Sequence, residues 1–387
     1  MTPSPHRGFA LFRDDLSGRE LLFAEPERLI VAWDEKDFLH AIEEAQAARE
    51  AGKWLAGYVS YEAGYLLEPK LRPLLPENRR APLLCFGVFE GPFEGDAFGV
   101  FRPHSNAQPA ILDAQASWSS STYATRFRKL HDHLRAGDSY QANLTFPVVA
   151  RWEGDPLAIF SQLAARQPVR HSALVELEGP VVVSRSPELF FDVASDGWIE
   201  TLPMKGTAPR GATPQEDARQ RDFLAGDPKN QAENRMIVDL LRNDISLISE
   251  VGTLDVPDLF SVETYATVHQ MVSRVRAKLR PGLTIADVFA ALFPCGSITG
   301  APKIRAMEIL RELEDGPRDV YCGAVGWIAP GHRMRFNVAI RTLSLYPSGE
   351  AVYNVGGGVV FDSTAEGEYA ECLLKARFAT GSPPATP

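Results

Sequence analysis

Cysteine is scarce in this 387-residue sequence, and no two cysteines form a C-x-x-C pair. The four are scattered along the chain, at Cys85, Cys295, Cys322 and Cys372. Such a distribution argues against both a structural zinc site and a disulfide framework. It fits a protein kept in a reducing compartment.

Basic runs and long apolar runs are also missing. The net charge is −10 at pH 7 and the pI is about 5.4, so binding to nucleic acid or to an anionic membrane is not expected. The first residues lack the apolar core of a signal peptide, and no apolar run approaches transmembrane length. We therefore expect a soluble, cytoplasmic protein. If it binds an acidic metabolite, lysine, arginine or a metal ion must supply local positive charge.

The rest of the composition is that of an ordinary globular protein, with 45% hydrophobic and 23% charged residues. The length allows two or three domains, or one large domain of two lobes. A polar stretch over residues 103–121 predicts the connection between the lobes. We therefore predict an N-terminal lobe segment (residues 1–115), a main region intertwined with it (116–380) and a disordered tail (381–387).

Two helices are predicted in the main region from periodicity and capping signals. Apolar residues share one face over residues 122–136, and Gly137 ends this helix. Asp227 followed by Pro228 is typical of a helix N-terminus and predicts a helix that reaches about residue 243.

One lysine follows a predicted strand, residues 198–202, within the string PMKGT (203–207). Gly206, directly after Lys205, would let the main chain approach a ligand closely. By itself, a lysine in such a place is most often a solvated loop charge.

Four glutamates stand in settings that favour acid–base or metal chemistry. Glu188 lies between a proline and an apolar run, where loss of water would raise its pKa toward that of a general acid. Glu233 shares a helix face with apolar residues, which is costly unless a cation pairs with it. Glu368 and Glu371 project from one side of a helix and repel each other unless a cation lies between them. For each of the four, a solvated acid is the plain alternative.

Three further features favour the binding of an anion. The string GSITGAPK (296–303) leads into a helix whose first amides can face an anion. The glycines at 356–358 allow backbone amides to close on a ligand. Arg341 ends a buried-looking strand and suits a carboxylate, with an internal salt bridge as the alternative.

Taken together, these segments resemble the chorismate-utilising enzymes. PMKGT, QAENRMIVDLLRND (231–244), GSITGAPK and a GGG-x-V-x-DS-x4-E-x2-E string (356–371) occur in the family's order. The resemblance is dense over about residues 120–378. It implies an α+β fold of two lobes, in which antiparallel sheets form a sandwich with helices outside. It also implies that residues 116–380 are the chorismate-binding catalytic region.

The resemblance further implies roles for single residues. Lys205 would be a nucleophile, as in the folate-branch members, whereas anthranilate synthases carry alanine there. Glu188 would assist departure of the ring hydroxyl. The implied magnesium ligands are Glu233, Glu368 and Glu371. The implied substrate-binding residues are Tyr321, Arg341, Gly206, Thr207, Thr299, Gly356, Gly357 and Gly358.

The reaction implied for the folate-branch form is amination of chorismate at C4, which gives 4-amino-4-deoxychorismate for 4-aminobenzoate and folate synthesis. Mg²⁺ is the implied cofactor. No cysteine has the setting of a glutaminase nucleophile, so we expect ammonia from a separate glutamine amidotransferase subunit. Formation of anthranilate or isochorismate, and a non-catalytic chorismate-binding protein, are the alternatives.

Three positions depart from the family pattern. Gln270 stands where relatives often have an active-site histidine, and His269 lies one place earlier. Because one step along a strand turns a side chain to the opposite face, we do not assign His269 a catalytic role. Cys295 replaces a usual glycine, and Arg335 replaces a common aspartate.

Overall fold

The structure is a computed structural model that describes residues 8–94, 108–265 and 268–387. In these ranges the α-helices are α1 (Glu35–Glu50), α2 (Ala63–Leu67), α3 (Ser120–Ala136), α4 (Pro156–Arg166), α5 (Pro214–Gly226), α6 (Pro228–Ser246), α7 (Ile285–Leu292), α8 (Lys303–Leu313) and α9 (Ala365–Thr380). Short 3₁₀ turns span Arg72–Leu74 and Gly296–Ile298.

The strands, in chain order, are β1 (Phe9–Asp14), β2 (Arg19–Ala24), β3 (Arg28–Ala32), β4 (Trp54–Val59), β5 (Leu84–Phe89), β6 (Phe93–Glu94), β7 (Ala110–Ala116), β8 (Gln141–Glu153), β9 (His171–Glu176), β10 (Val181–Ser186), β11 (Leu189–Val193), β12 (Trp198–Leu202), β13 (Met204–Pro209), β14 (Asp255–Thr264), β15 (Val268–Lys278), β16 (Gly300–Ala301), β17 (Ala324–Ile328), β18 (Met334–Val338), β19 (Thr342–Leu345) and β20 (Glu350–Val359).

These strands form two antiparallel sheets. The first has the order β16-β8-β20-β19-β10-β9-β1-β2-β6, with β7 also paired to β8. The second has the order β13-β15-β12-β11-β18-β17-β4-β5-β3, with β14 also paired to β15. Both sheets contain strands from the first 94 residues and from the main region, so the two parts of the chain are intertwined. The bounds of the two parts stay a prediction.

The two sheets pack face to face through one apolar cluster. Phe23 and Val175 of the first sheet meet Tyr58 and Trp327 of the second sheet in this cluster. Alternate residues along a strand point to opposite faces, so each sheet also has an outer apolar face that needs a cover.

Helices cover both outer faces. Helices α3, α4, α8 and α9 contribute residues such as Phe127 and Tyr369 to the cluster on the first sheet. Helices α1, α6 and α7 contribute residues such as Ile237 and Phe289 to the cluster on the second sheet. This arrangement confirms the predicted α+β sandwich with helices outside.

Local signals account for the two predicted helices. Gly137 ends α3 in the left-handed region, with φ of 79°, which costs glycine little. Asp227 caps α6 by accepting a hydrogen bond from the Asn230 amide at 2.9 Å, and Pro228 follows it. Both predicted helix boundaries at these caps are confirmed.

The predicted connection contains strand β7, and the predicted tail pairs with that strand. Residues 103–107 of the predicted connection lie outside the described residues, and 108–121 contain β7 and the start of α3. The segment 381–387 differs from the disordered tail that we expected. Ala385 lies parallel to Gln115, donating to the Ala114 carbonyl and accepting from the Ala116 amide, each at 2.8 Å. Pairing with β7 therefore gives the end of the chain a defined position.

Candidate active site

The lysine and the glutamates predicted for the site come together around β20. The Lys205 amine lies 3.8 Å from a carboxylate oxygen of Glu233 on α6. A Cβ placed on Gly358 would lie 3.1 Å from the same amine. A Cβ on Gly357 would lie 2.7 Å from Oε2 of Glu368 and 4.0 Å from Oε1 of Glu371. Strands β13 and β20 and helices α6 and α9 therefore border one cleft.

The three glycines are strand residues. Gly356, Gly357 and Gly358 pair with residues 145, 144 and 143 of β8, so part of their backbone bonds to the sheet. A side chain at Gly357 would collide with the Glu368 carboxylate, and one at Gly358 would crowd the Gln141 amide and the Lys205 amine, whereas one at Gly356 would collide with Thr145 of β8. Gly357 and Gly358 therefore leave space in the cleft. Contact of their amides with a substrate anion stays a prediction.

Backbone contacts hold the strand that carries Lys205. Asn234, fully buried on α6, donates to the Lys205 carbonyl at 3.3 Å. Gln270 donates to the Gly206 carbonyl at 2.8 Å and accepts from the Thr207 hydroxyl at 2.9 Å. Thr207 itself is exposed, and Gly206 has φ of 100°, which favours glycine.

His269 points away from Gln270, as the alternation along a strand requires. It is buried, with one ring nitrogen 3.0 Å from Asp217 and the other 3.0 Å from the Thr264 hydroxyl. These contacts tie α5 to β14 and β15. His269 is thus a packing residue, whereas Gln270 supports the segment that bears Lys205.

Glu188 has the environment of an acid that stays protonated near neutral pH. Its side chain is buried, and the Ser297 hydroxyl donates to Oε1 at 2.7 Å. Burial raises the pKa of Glu188 to about 7, against the lowering effects of Ser297, Lys205 and Lys375. The predicted desolvation of this carboxyl is confirmed, and its pKa suits a general acid.

The two carboxylates on α9 differ in charge balance. Burial, together with the charge of Glu371, raises the pKa of Glu368, although Ser363 donates to its Oε1 at 2.7 Å. Burial acts on Glu371 in the same direction, but the Lys375 amine at 2.7 Å, together with the charges of Lys205 and Lys229, lowers its pKa. A divalent cation between these two carboxylates would reduce their repulsion.

The donor chemistry suits a hard divalent cation, because three carboxylates on two helices border the same cleft. In the described ranges, however, no three His, Cys, Asp or Glu side chains are close enough together to hold an ion. Lys205 lies beside Glu233 and Lys375 beside Glu371, so amines balance these two carboxylates. Metal binding by Glu233, Glu368 and Glu371 therefore stays a prediction.

Among the described residues, Arg341 has no counterion. Its guanidinium is partly buried, and no hydrogen-bond or ion-pair partner for it occurs in residues 8–94, 108–265 and 268–387. Burial alone lowers its pKa. Tyr321 is buried just before β17, and Arg341 comes just after β18, so the two lie at the same end of paired strands. An incoming carboxylate would stabilise this guanidinium.

The GSITGAPK segment has a mainly structural set of contacts. Thr299 is fully buried and donates to the Cys295 carbonyl at 3.1 Å, so its proton is used within its own turn. Lys303 forms an ion pair with Asp244 at 2.7 Å, which anchors α8 to α6, and it donates to the Leu292 carbonyl at 2.9 Å. A substrate contact by Thr299 stays a prediction.

The chain resembles known proteins over nearly its whole length. Residues 8–381 match the family described as chorismate binding enzyme. The chain belongs to this family.

Several relatives in the family are similar in sequence. Aminodeoxychorismate synthase component 1 of Klebsiella aerogenes is 44% identical over 261 residues, 67% of this chain and 57% of that protein. The Escherichia coli K12 protein of the same name is 42% identical over 263 residues, with coverages of 68% and 58%. An anthranilate synthase component 1 of Haloarcula marismortui is 41% identical over 278 residues, with coverages of 71% and 55%. The matches thus span somewhat more than half the length of these curated relatives.

Solved structures in the family share the fold. Anthranilate synthase component I from Streptococcus pneumoniae TIGR4 superposes with a TM-score of 0.78 at 25% identity, covering 98% of this chain and 93% of that one. The menaquinone-specific isochorismate synthase of Escherichia coli gives 0.73 at 16% identity, with coverages of 97% and 88%. As for membrane association, none of the described helices has the length and apolar character of a membrane span.

Three residues near this cleft were not predicted from the sequence as functional residues. Lys375 bonds to Glu371 and to the Gly356 carbonyl at 2.9 Å, and its position four residues after Glu371 was an available signal. Gln141 is fully buried beside Gly358, and its amide nitrogen and oxygen lack partners in the described residues. Ser297 bonds to Glu188 across 109 positions of sequence, so no local pattern could have revealed it.

Arg335, where family relatives commonly have aspartate, has a structural explanation. Its guanidinium donates to Asp192 at 2.6 Å on the neighbouring strand β11, and another of its nitrogens lies 3.4 Å from His171. The departure therefore forms an ion pair within the sheet, away from Lys205.

Proposed function

We propose that this protein catalyses the amination of chorismate at C4, with ammonia as the nitrogen donor and 4-amino-4-deoxychorismate as the product. The observation that supports this most directly is Lys205, which lies in the cleft between Glu233 and Gly358. Relatives named aminodeoxychorismate synthase component 1, at 41–44% identity, support the same reaction.

Substrate binding would use the cations of the cleft. Chorismate carries two carboxylates, and Arg341 has no counterion of its own within the described residues. Arg341 and Tyr321 would bind one carboxylate. The lack of side chains at Gly357 and Gly358 would leave room for the ring next to β20.

Lys205 would act as the nucleophile and Glu188 as the acid. The Lys205 amine would attack ring carbon C2 and form a bond to it. Glu188 would transfer its proton to the C4 hydroxyl, which leaves as water while the ring double bond shifts. The raised pKa of Glu188, about 7, keeps that proton available near neutral pH. Ammonia would then add at C4, and the C2–nitrogen bond to Lys205 would break.

Glu233, Glu368 and Glu371 would hold a Mg²⁺ ion in this proposal. When bound, the ion would neutralise the second substrate carboxylate and orient it in the cleft. The raised pKa of Glu368 supports a cation partner there, since a neighbouring positive charge stabilises a carboxylate.

A glutamine amidotransferase subunit would supply the ammonia. The four cysteines are buried, and burial raises the pKa of Cys85, Cys295, Cys322 and Cys372 to about 12 in each case. A glutaminase nucleophile needs a reactive thiolate, which this setting opposes. The relatives' name, component 1, supports a partner component. Free thiols also support our placement of the protein in the cytoplasm.

Anthranilate formation is the second candidate. Relatives in Haloarcula marismortui that are 40–41% identical are named anthranilate synthase component 1. Lys205 argues against it, because the resemblance implies alanine at this position in anthranilate synthases.

The test is to incubate the purified protein with chorismate, Mg²⁺ and ammonium at mildly alkaline pH and to resolve the products by chromatography and mass spectrometry. We expect a product about one mass unit below chorismate, which 4-amino-4-deoxychorismate lyase converts to 4-aminobenzoate. Lys205→Ala should abolish this product. The control Lys278→Ala should not, because Lys278 lies at the end of β15, bonded to the Asp196 carbonyl. Anthranilate or isochorismate as the product would overturn the proposal.

A further inference from the structure

In the described parts of the chain, the carboxyl of Glu188 is hydrogen-bonded by a side chain at one oxygen, Oε1. Ser297 donates to Oε1 at 2.7 Å, and no other side-chain hydrogen bond to this carboxyl is found in the part of the chain that the structure describes. Lys205 from β13 and Lys375 from α9 act on it as nearby charges. Oε2 is therefore the oxygen left for a ligand.

The Ser297 hydroxyl also contacts a cysteine thiol. Sγ of Cys295 is 3.2 Å from Oγ of Ser297, and Cys295 is only 2% exposed. The serine hydroxyl has one proton, which goes to Glu188, so its oxygen accepts the thiol proton. Burial raises the pKa of the Cys295 thiol to about 12, so this donor keeps its proton. The three groups form a hydrogen-bond chain in which the thiol donates to the hydroxyl and the hydroxyl donates to the carboxyl.

Backbone hydrogen bonds fix both ends of this hydrogen-bond chain. The turn that carries Cys295 and Ser297 is closed by the Ile298 amide, which donates to the Cys295 carbonyl at 3.3 Å, and by the Thr299 hydroxyl. The backbone of Glu188 is fixed through its amide to the Ser186 hydroxyl at 3.2 Å and through its carbonyl to the Val338 amide at 3.1 Å. The hydrogen-bond geometry is thus set by the fold.

We propose that Ser297 and Cys295 are positioning residues for the acid: they hold Oε1 of Glu188, so that Oε2 delivers the proton to the departing hydroxyl. This inference rests on the proposed function. Donation from the thiol polarises the serine hydroxyl and strengthens its bond to the carboxyl. Cys295 stands where relatives have glycine, so its thiol would be a donor to Ser297 that those relatives lack.

The test compares Ser297→Ala, Ser297→Thr, Cys295→Ala and Cys295→Ser with the wild type. Loss of the serine donor favours the protonated carboxyl, so Ser297→Ala should move the alkaline limb of the kcat/KM profile upward by about one pH unit. At neutral pH kcat should fall about tenfold with KM unchanged, because the acid is no longer oriented. Cys295→Ala should produce a smaller shift in the same direction.

The conservative variants separate positioning from packing. Ser297→Thr and Cys295→Ser each keep a donor, so both should return the alkaline limb to the wild-type position. If Ser297→Ala and Cys295→Ala leave that limb unmoved, or if Ser297→Thr behaves like Ser297→Ala, the proposal is wrong. Should Ser297→Ala fail to fold, the two Cys295 variants decide on the same criterion.

A second readout does not depend on turnover. The infrared C=O band of protonated Glu188, assigned by its loss in Glu188→Gln, can be followed against pH in each variant. If the wild type forms anthranilate or isochorismate, the proposed function fails while this titration still tests the positioning. An unshifted band midpoint in Ser297→Ala and Cys295→Ala would overturn the positioning role alone.

Discussion

The substitution Arg341→Met should weaken chorismate binding without lowering the free energy of unfolding. Arg341 lacks a side-chain partner in the described ranges, and burial disfavours its charge. The free protein therefore gains little from this guanidinium. Its backbone lies in the left-handed region, with φ of 49°, and methionine has the same Cβ, so the backbone cost is unchanged.

The magnitudes follow from the charge-assisted bond that would be lost. A hydrogen bond to a charged group contributes about 1.5–3 kcal/mol, which corresponds to an affinity about 10- to 150-fold weaker. Removal of a partly buried, unpaired cation should leave the free energy of unfolding unchanged or raise it by up to about 1 kcal/mol. Binding and stability should thus move in opposite directions.

The assay is a calorimetric titration with chorismate in the absence of ammonia, together with urea unfolding. Arg335→Met is the matched control, since Arg335 donates to Asp192 at 2.6 Å within the same sheet. It should lower the free energy of unfolding by about 1 kcal/mol and leave affinity unchanged, because it removes an ion pair remote from the cleft. The opposite outcome is a loss of about 1 kcal/mol or more in the free energy of unfolding of Arg341→Met, the size expected for a lost ion pair, with affinity unchanged. That outcome would make Arg341 a structural residue.

Three other perturbations test the described contacts. Folding raises the pKa of Glu188 from 4.5 to about 7, so the folded state binds this proton more tightly and the wild type should lose up to about 3 kcal/mol of stability as pH rises through that window. Glu188→Gln should remove this pH dependence in urea unfolding; identical slopes would contradict the burial argument. Lys303→Met should cost about 3–5 kcal/mol because it leaves buried Asp244 unpaired, and the double variant with Asp244→Leu should recover most of it in thermal unfolding. Gly357→Ala would place a Cβ 2.7 Å from Oε2 of Glu368. The Mg²⁺ concentration for half-maximal activity should therefore rise, with little change in Tm. An unchanged Mg²⁺ requirement would count against a metal role for Glu368.

Much of the fold and the site could be predicted because the signals were local. The caps at Gly137 and Asp227 follow from residues within one helical turn. Glu188 was identified by Pro187 before it and the apolar run after it, and it is buried between β10 and β11. The one-residue step between His269 and Gln270 predicted opposite faces, and their separate contacts agree with it.

The remaining contacts join residues far apart in the sequence, and only the packed sheets and helices determine them. Arg335 meets Asp192 across 143 positions, and Ala385 meets Gln115 through a tail that we expected to be disordered. Ser297 reaches Glu188 across 109 positions. The sequence by itself therefore determined which residue types carry the chemistry and which local elements hold them. The partners, burial and protonation of those residues depend on which distant surfaces come together, because hydrogen bonding and desolvation act over a few ångströms in space, whatever the separation along the chain.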